Sequence, residues 1–315
     1  MQSLQIIGAG LSGLLAARGL SHWGPVVKEK QSSLPNNHSA ILRFRSAAVS
    51  DSTGIPFSAV NVYKSMLDED GHVTNSATIR DFNHYSYKVI GEISERSMME
   101  FRPVKRYIAP SNLISLLSKN VAINYNHESD HTLAPPRNFP IISTIPMPDL
   151  MRCLNYPLVP DFKYRPTWNI SAELVNTNVY QSMYVPYDDR LPYRVSITGN
   201  RFVMEFAKEP QKEADVYLDF FISKMMGNTQ AIVANSVTVK KQSYGKIVPI
   251  DDDLRKAFIT YATDKHDIYS LGRYATWRPS VLLDDVVKDV KFIQKMITHK
   301  SLYNIKQNLH KDTIR

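Results

Sequence analysis

The chain has 315 residues, 43% hydrophobic and 22% charged, which is enough for two domains with cores of their own. Its single cysteine, Cys153, excludes an internal disulfide framework and sets a reducing, cytoplasmic location as the expectation. The net charge of +8 points to an anionic substrate or partner, no apolar run approaches the ~18 residues of a membrane span, and the nine scattered histidines show no metal-binding spacing.

Gln5 to Ile7 is a short apolar run that stops at Gly8-Ala9-Gly10-Leu11-Ser12-Gly13. An Ala- and Leu-rich stretch follows, Leu14 to Leu20, and a second apolar run, Val26-Val27, leads to Glu29 and Lys30. Strand, glycine turn, helix, strand and acid in this order are what a dinucleotide-binding βαβ unit requires. Gly8 turns the chain off the strand, Gly10 leaves room for a pyrophosphate, and Gly13 lets the helix approach the strand beside Ala16 and Ala17. The first helical turn, with Leu11 and Ser12, presents free N–H groups to phosphate, and Glu29 accepts from a ribose diol. The glycines and the missing basic flank also set this segment apart from a signal peptide.

A polar loop from Lys30 to Ser39 precedes the alternating run Ala40-Ile41-Leu42-Arg43-Phe44-Arg45. Arg43 and Arg45 there are either anion contacts or the polar side of an exposed strand. Residues 51–108 read as a first visit to a second domain, with a turn at Asp68 to His72 and a β-like alternation from Tyr85 to Ile93. A helix from Ser111, its N-cap, to Lys119 and strands at Val121–Ile123 and Ile141–Ile145, the latter stopped by Pro146 and Pro148, suit a return to the nucleotide domain.

Residues 156–170 are rich in Pro, Tyr and Trp. Val179–Val185, Tyr193–Thr198 and Phe202–Phe206 then alternate as an antiparallel sheet, Ala214–Met226 is helical, and Ile232–Lys240 is a strand. Asp267 to Arg273 is a short strand ending in Gly272-Arg273. Asp284 and Asp285 open a helix with Val286, Val290, Ile293 and Ile297 on one face. The tail from His299 is basic and weakly amphipathic.

IIGAGLSGLLAA with Glu29, STIP at 143–146, SMYVPYDDRLPYRVSITGN at 182–200 and LGRYATWRPSVLLDD at 271–285 resemble the FAD-dependent amine oxidase and UDP-galactopyranose mutase superfamily. The resemblance implies an α/β fold: a Rossmann-like FAD-binding domain (1–50, 109–150, 236–315) interwoven with an α+β antiparallel-sheet substrate domain (51–108, 151–235). It implies FAD as cofactor, held by the glycine motif, Glu29, Lys30, Arg43, Gly272 and Arg273, with Leu282, Leu283 and Asp284 beside the flavin. Tyr184, Tyr187, Tyr193, Tyr274 and Trp277 are then candidate walls of the active site, and Arg194 and Arg278 candidate anion contacts.

The segments NNHSAILRFRS and PYRVSITGN resemble bacteriophage versions associated with thymidine hypermodification. The implied activity is oxidation or cleavage of a C–N bond in an amine or amino-acid substituent, with DNA or a modified nucleotide as the anionic carrier. Arg102, Lys105, Arg106, Lys240 and Lys241 are the outer cations of that reading. A mutase acting on a nucleotide sugar and a non-catalytic binding protein are the alternatives. The chain departs from the superfamily at Ser33-Leu34-Pro35-Asn36-Asn37, where a Gly-Gly pair usually stands.

Overall fold

Apolar runs too short for helices become strands of a parallel sheet covered on both faces, as their unbroken hydrophobicity requires. The computed structural model describes residues 4–35, 42–93, 101–128, 133, 139–227 and 232–312, with 301–312 as backbone only. The expected strand residues Ala40 and Ile41, the Asn36-Asn37 pair and the end of the basic tail lie outside this description.

In chain order come β1 (Gln5–Ile7), α1 (Leu11–Gly19), β2 (Val26–Lys28), β3 (Arg43–Phe44), α2 (Ala48–Thr53), β4 (Ser58–Leu67), β5 (Val73–Thr74) and α3 (Ile79–Ile90). Next are β6 (Val104–Ile108), α4 (Leu113–Ser118), β7 (Ala122–Asn124), β8 (Ile141–Ser143), α5 (Met147–Cys153), β9 (Tyr164–Glu173), β10 (Val179–Tyr184), β11 (Arg194–Gly199) and β12 (Arg201–Phe206). The chain closes with α6 (Ala214–Met226), β13 (Thr238–Ile247), α7 (Asp252–His266), β14 (Ile268–Ser270) and α8 (Leu283–Asp312).

Two sheets organise these elements. A five-stranded parallel sheet runs β14-β8-β1-β2-β7. A nine-stranded, mainly antiparallel sheet runs β13-β9-β12-β11-β10-β4-β6-β3, with β5 on β4 and one parallel pair, β10 with β4. The small sheet therefore gathers strands from three separated parts of the chain.

Val286, Val290, Ile293 and Ile297 on α8 are buried with Leu14, Leu15 and Leu20 around α1. At about 1.5–3 kcal/mol for each fully buried side chain, this stripe holds the last helix against the first. The large sheet is apolar on one face, where Val195, Ile197, Phe202 and Met204 pack on Tyr217, Leu218, Phe221 and Ile222 of α6. Its other face is polar. Asn169, Glu205, Arg194 and Tyr184 stand directly opposite one another across β9, β12, β11 and β10.

Several elements differ from expectation. Tyr85–Ile93 is not a strand: Ile79–Ile90 is helical, with Thr78 and Asp81 forming a capping box and Gly91 closing the helix at φ +83°. The alternation of Tyr85, Tyr87 and Val89 misleads because Tyr87 is exposed while Tyr85 and Val89 share the buried side at i, i+4. The residue at the N-cap of α4 is Asn112, not Ser111, and β8 ends at Ser143 while Pro146 is the N-cap of α5 and Pro148 lies in its first turn. β9 emerges from the Pro- and aromatic-rich segment. β13 stays paired with β9 through Ile247, so the chain leaves the large sheet after the expected boundary at 236. Among the described residues no helix is long and apolar enough to cross a membrane.

Candidate functional site

The site begins where β1 gives way to α1. Gly8 takes φ +94°, and a Cβ there would lie 2.2 Å from Thr144 Oγ1 at the end of β8. A Cβ on Gly13 would lie 1.9 Å from the Gly8 carbonyl oxygen, so the helix crosses the turn at a distance that only glycine permits. Gly10 is the opposite case: it is exposed, and a Cβ on it would meet nothing within 4 Å. No side chain caps α1 at Gly10, and the first N–H to bond within the helix is that of Leu14, to the Gly10 carbonyl (2.9 Å), so the N–H groups of Leu11, Ser12 and Gly13 lie uncapped beside this open space.

Glu29, half-buried just past β2, borders the same turn. The Ala9 N–H donates to its Oε2 (2.6 Å) and the Gln31 N–H to its Oε1 (2.9 Å). A carboxylate has about four acceptor positions, so lone pairs remain for a diol. The last strand closes the other side. Gly272 takes φ +91°, and a Cβ on it would lie 2.5 Å from Ser12 Oγ. A depression of ≈ 570 Å³ lies beside the ends of β2 and β7, lined in part by Leu34, Pro35, Asn112, Ile114 and Tyr125.

Gly8, Gly10, Leu11, Ser12, Gly13, Glu29 and Gly272 thus come together. This donor set fits the pyrophosphate and ribose of a dinucleotide such as FAD: free helix N–H groups, an open space that a side chain would fill, and a carboxylate. Lys30 does not join them; it is exposed and pairs with Glu128 at 3.3 Å. Arg273 donates to its neighbour Tyr274 Oη (2.7 Å) and stacks on that ring.

Asp284 is 7% exposed and ties two elements together: it accepts from the Ser46 N–H (2.9 Å), Ser46 Oγ (2.6 Å) and the Arg45 N–H (3.2 Å). It fixes the exit of β3 against the start of α8, where Leu282 and Leu283 are half-buried and the Leu282 N–H donates to Asp285 (3.1 Å).

The side chains expected at the substrate are mostly used within the fold. Arg43 reaches over the polar face of the large sheet and donates to Ser182 Oγ (2.7 Å), Thr198 Oγ1 (2.9 Å), and the Gln181 and Ile197 carbonyls. Burial and the nearby Arg194 push its guanidinium down to about 10. Arg194 pairs with Glu205, which also accepts from Tyr193 Oη, and Arg278 pairs with Asp289. Trp277 is 1% exposed and donates its indole N–H to the Val248 carbonyl (2.8 Å), packed edge-on to Phe162, so it is core and not a wall of an open site. Tyr184 remains half-exposed at the end of β10, edge-on to Tyr85 and Phe101. Arg45 is exposed and close enough to Arg106 that, after burial, it lowers that guanidinium.

Glu205 and Lys88 escaped the sequence reading. Glu205 had a signal, a lone charge inside the apolar run Phe202-Val203-Met204-Glu205-Phe206. Away from the site, Asp68, Asp70 and His72 meet within 4.8 Å on the exposed β4–β5 turn, where Asp68 accepts the Asp70 and His72 N–H groups.

No family model and no curated protein matches the chain. Solved structures do. The chain is similar to reduced UDP-galactopyranose mutase with a TM-score of 0.68 at 14% identity, covering 95% of this chain and 96% of that one. An oxidoreductase from Methanosarcina mazei gives 0.56 at 10% identity, covering 93% and 100%. A putative FAD-containing monooxygenase from Photorhabdus luminescens subsp. laumondii gives 0.50 at 12%, covering 96% and 89%. At these identities the likeness is one of fold.

Proposed function

We propose that the protein is an FAD-dependent oxidoreductase that oxidises or cleaves a C–N bond in an amine or amino-acid substituent of an anionic substrate. One observation carries the cofactor: the open space at Gly10, before an uncapped helix N-terminus and between Glu29 and Gly272. The N–H groups of α1 hold the pyrophosphate, Glu29 holds the ribose, and the depression at Leu34 and Tyr125 receives the base. Bound FAD supplies the redox chemistry by accepting a hydride equivalent. The chain's own part is to orient the substrate and exclude water. The polar face of the large sheet, where Tyr184 remains half-exposed, faces that task.

The charge of +8 and the exposed Arg45 beside Arg106 support an anionic carrier, and the bacteriophage-like segments support DNA or a modified nucleotide. The nucleotide-sugar mutase reading relied on Arg194 and Arg278 for a diphosphate. Both are paired with carboxylates of the fold, which favours the oxidoreductase reading. The test is the visible spectrum of the purified protein, then anaerobic addition of amine-bearing nucleotides. A yellow protein bleached by such a substrate is the expected result. A colourless protein that takes up no FAD on reconstitution supports a non-catalytic binding protein instead.

A further inference from the structure

Helix α3 lays one face on the connection between β10 and β11, residues 185–193. Its grips recur at helical spacing, from Asp81 through His84 and Tyr85 to Lys88. Asp81 accepts from Tyr187 Oη (2.5 Å), the His84 ring lies 4.9 Å from the Tyr187 ring, and Tyr85 sits edge-on to Tyr184 and Tyr193. Lys88 completes the face. Its Nζ donates to four main-chain carbonyls, those of Val185 (2.8 Å), Tyr187 (2.9 Å), Asp188 (3.0 Å) and Pro192 (3.1 Å).

This lysine is 5% exposed, and among the described residues no carboxylate pairs with its ammonium. The connection has curled so that its carbonyl oxygens converge, and such buried acceptors need a donor or a cation. An ammonium has three N–H groups for the four oxygens, so one is shared. Burial lowers the ammonium to about 7, against the pull of Asp189 and Asp188, with Lys208 adding to the lowering.

We propose that Lys88 is a positioning residue whose ammonium is the internal cation of a main-chain carbonyl cage, fixing the 185–193 connection and, through it, Tyr184 and Arg194 at the ends of β10 and β11. Its consequence for turnover rests on the oxidoreductase reading of the polar face; the cage itself does not. Four carbonyl oxygens at 2.8–3.1 Å also suit a free ammonium or potassium ion, so a lysine shortened to alanine leaves a site that a small cation fills.

The experiment compares the unaltered protein, Lys88→Ala and Lys88→Met. In choline chloride both variants should unfold at least about 5 °C lower, and deuterium uptake at 185–194 should rise while uptake in the five-stranded sheet stays unchanged. Ammonium or potassium chloride at equal ionic strength should restore Lys88→Ala saturably. It should not restore Lys88→Met, whose side chain fills the cage. Lack of cation-specific recovery, or a Lys88→Met as stable as the parent, overturns the proposal. If Lys88→Ala does not fold, NMR of the ¹⁵N-lysine-labelled parent below pH 6 decides: a protected ammonium signal is expected, and none overturns the cage. None of these readouts needs flavin turnover, so loss of the flavoenzyme reading leaves them intact.

Discussion

The two sheets build their working surfaces in opposite ways. The five-stranded sheet offers main chain: the glycine turn, the uncapped N–H groups of α1 and one carboxylate, Glu29, contribute nearly everything. The nine-stranded sheet offers side chains joined across long separations. Arg43 reaches Ser182 and Thr198, Arg194 pairs with Glu205, and Lys88 meets the carbonyls of 185–192. A main-chain site depends on where side chains are absent, whereas a side-chain site depends on every partner being present.

The largest effect that tests this contrast comes from two valines in one turn. Gly13→Val places a Cβ against the Gly8 carbonyl, forces α1 off the sheet and should abolish folded, soluble protein. Gly10→Val meets no protein atom at its Cβ, so it should keep the parent's circular dichroism and unfolding midpoint while losing flavin from its spectrum. A yellow Gly10→Val would remove the pyrophosphate from this position.

On the large sheet, removing one partner should cost stability. Glu205→Ala leaves Arg194 without its carboxylate and should destabilise by about 2–4 kcal/mol in urea, less than a wholly buried pair because Arg194 is one-third exposed. Arg194→Met in the same chain should recover part of the loss. Burial alone would raise the Glu205 carboxyl, but Arg194, Lys246 and Tyr193 outweigh it and hold it below its ordinary 4.5. The unfolded state therefore takes up this proton first. The contribution of Glu205 is full above about pH 4.5 and lost as pH falls below it, so Glu205→Ala should flatten the acid limb of the stability curve.

The same contrast explains what was legible in the chain. Strand, turn, helix and acid follow one another within thirty residues, so β1, α1, β2 and Glu29 could be read directly. Gly272 was legible because the turn it makes is also local. Arg43, Arg194 and Arg278 were visible as cations, but not their partners, which come from distant elements, so anion contacts became internal bonds. The α3 capping signals, Thr78, Asp81 and Gly91, were present but overshadowed by alternating tyrosines. The long helix α7 went unread although Asp251 caps it by accepting the Asp253 and Leu254 N–H groups.

A smaller effect separates the one side chain of the main-chain site from its surroundings. Glu29→Ala should weaken FAD by about 1.5–3 kcal/mol, or ten- to a hundredfold in a flavin titration, through loss of a charge-assisted hydrogen bond to ribose. Glu29→Asp should lose less. Unchanged affinity in the alanine variant would mean that Glu29 serves only the Ala9 and Gln31 N–H groups.

The smallest expected effect concerns the exposed cations, where the charge of the large sheet is not consumed internally. Arg43, Arg194 and Arg278 are occupied by the fold, so on the proposed reading a DNA carrier would be held by groups such as the exposed Arg45, its half-buried neighbour Arg106, and the exposed Lys240 on the edge strand β13. Each phosphate contact releases counterions, with a log–log salt slope of about −0.9 on duplex and about −0.7 on single strands. Arg45→Ala should therefore reduce the slope of DNA retention by about one contact's worth, lowering affinity alike for all sequences. Arg278→Ala, whose partner is Asp289, should leave the slope unchanged while lowering stability. Retention that is insensitive to salt in the unaltered protein, with equal turnover on polymer and mononucleoside, would assign the positive charge to a small anion and remove DNA from the substrates.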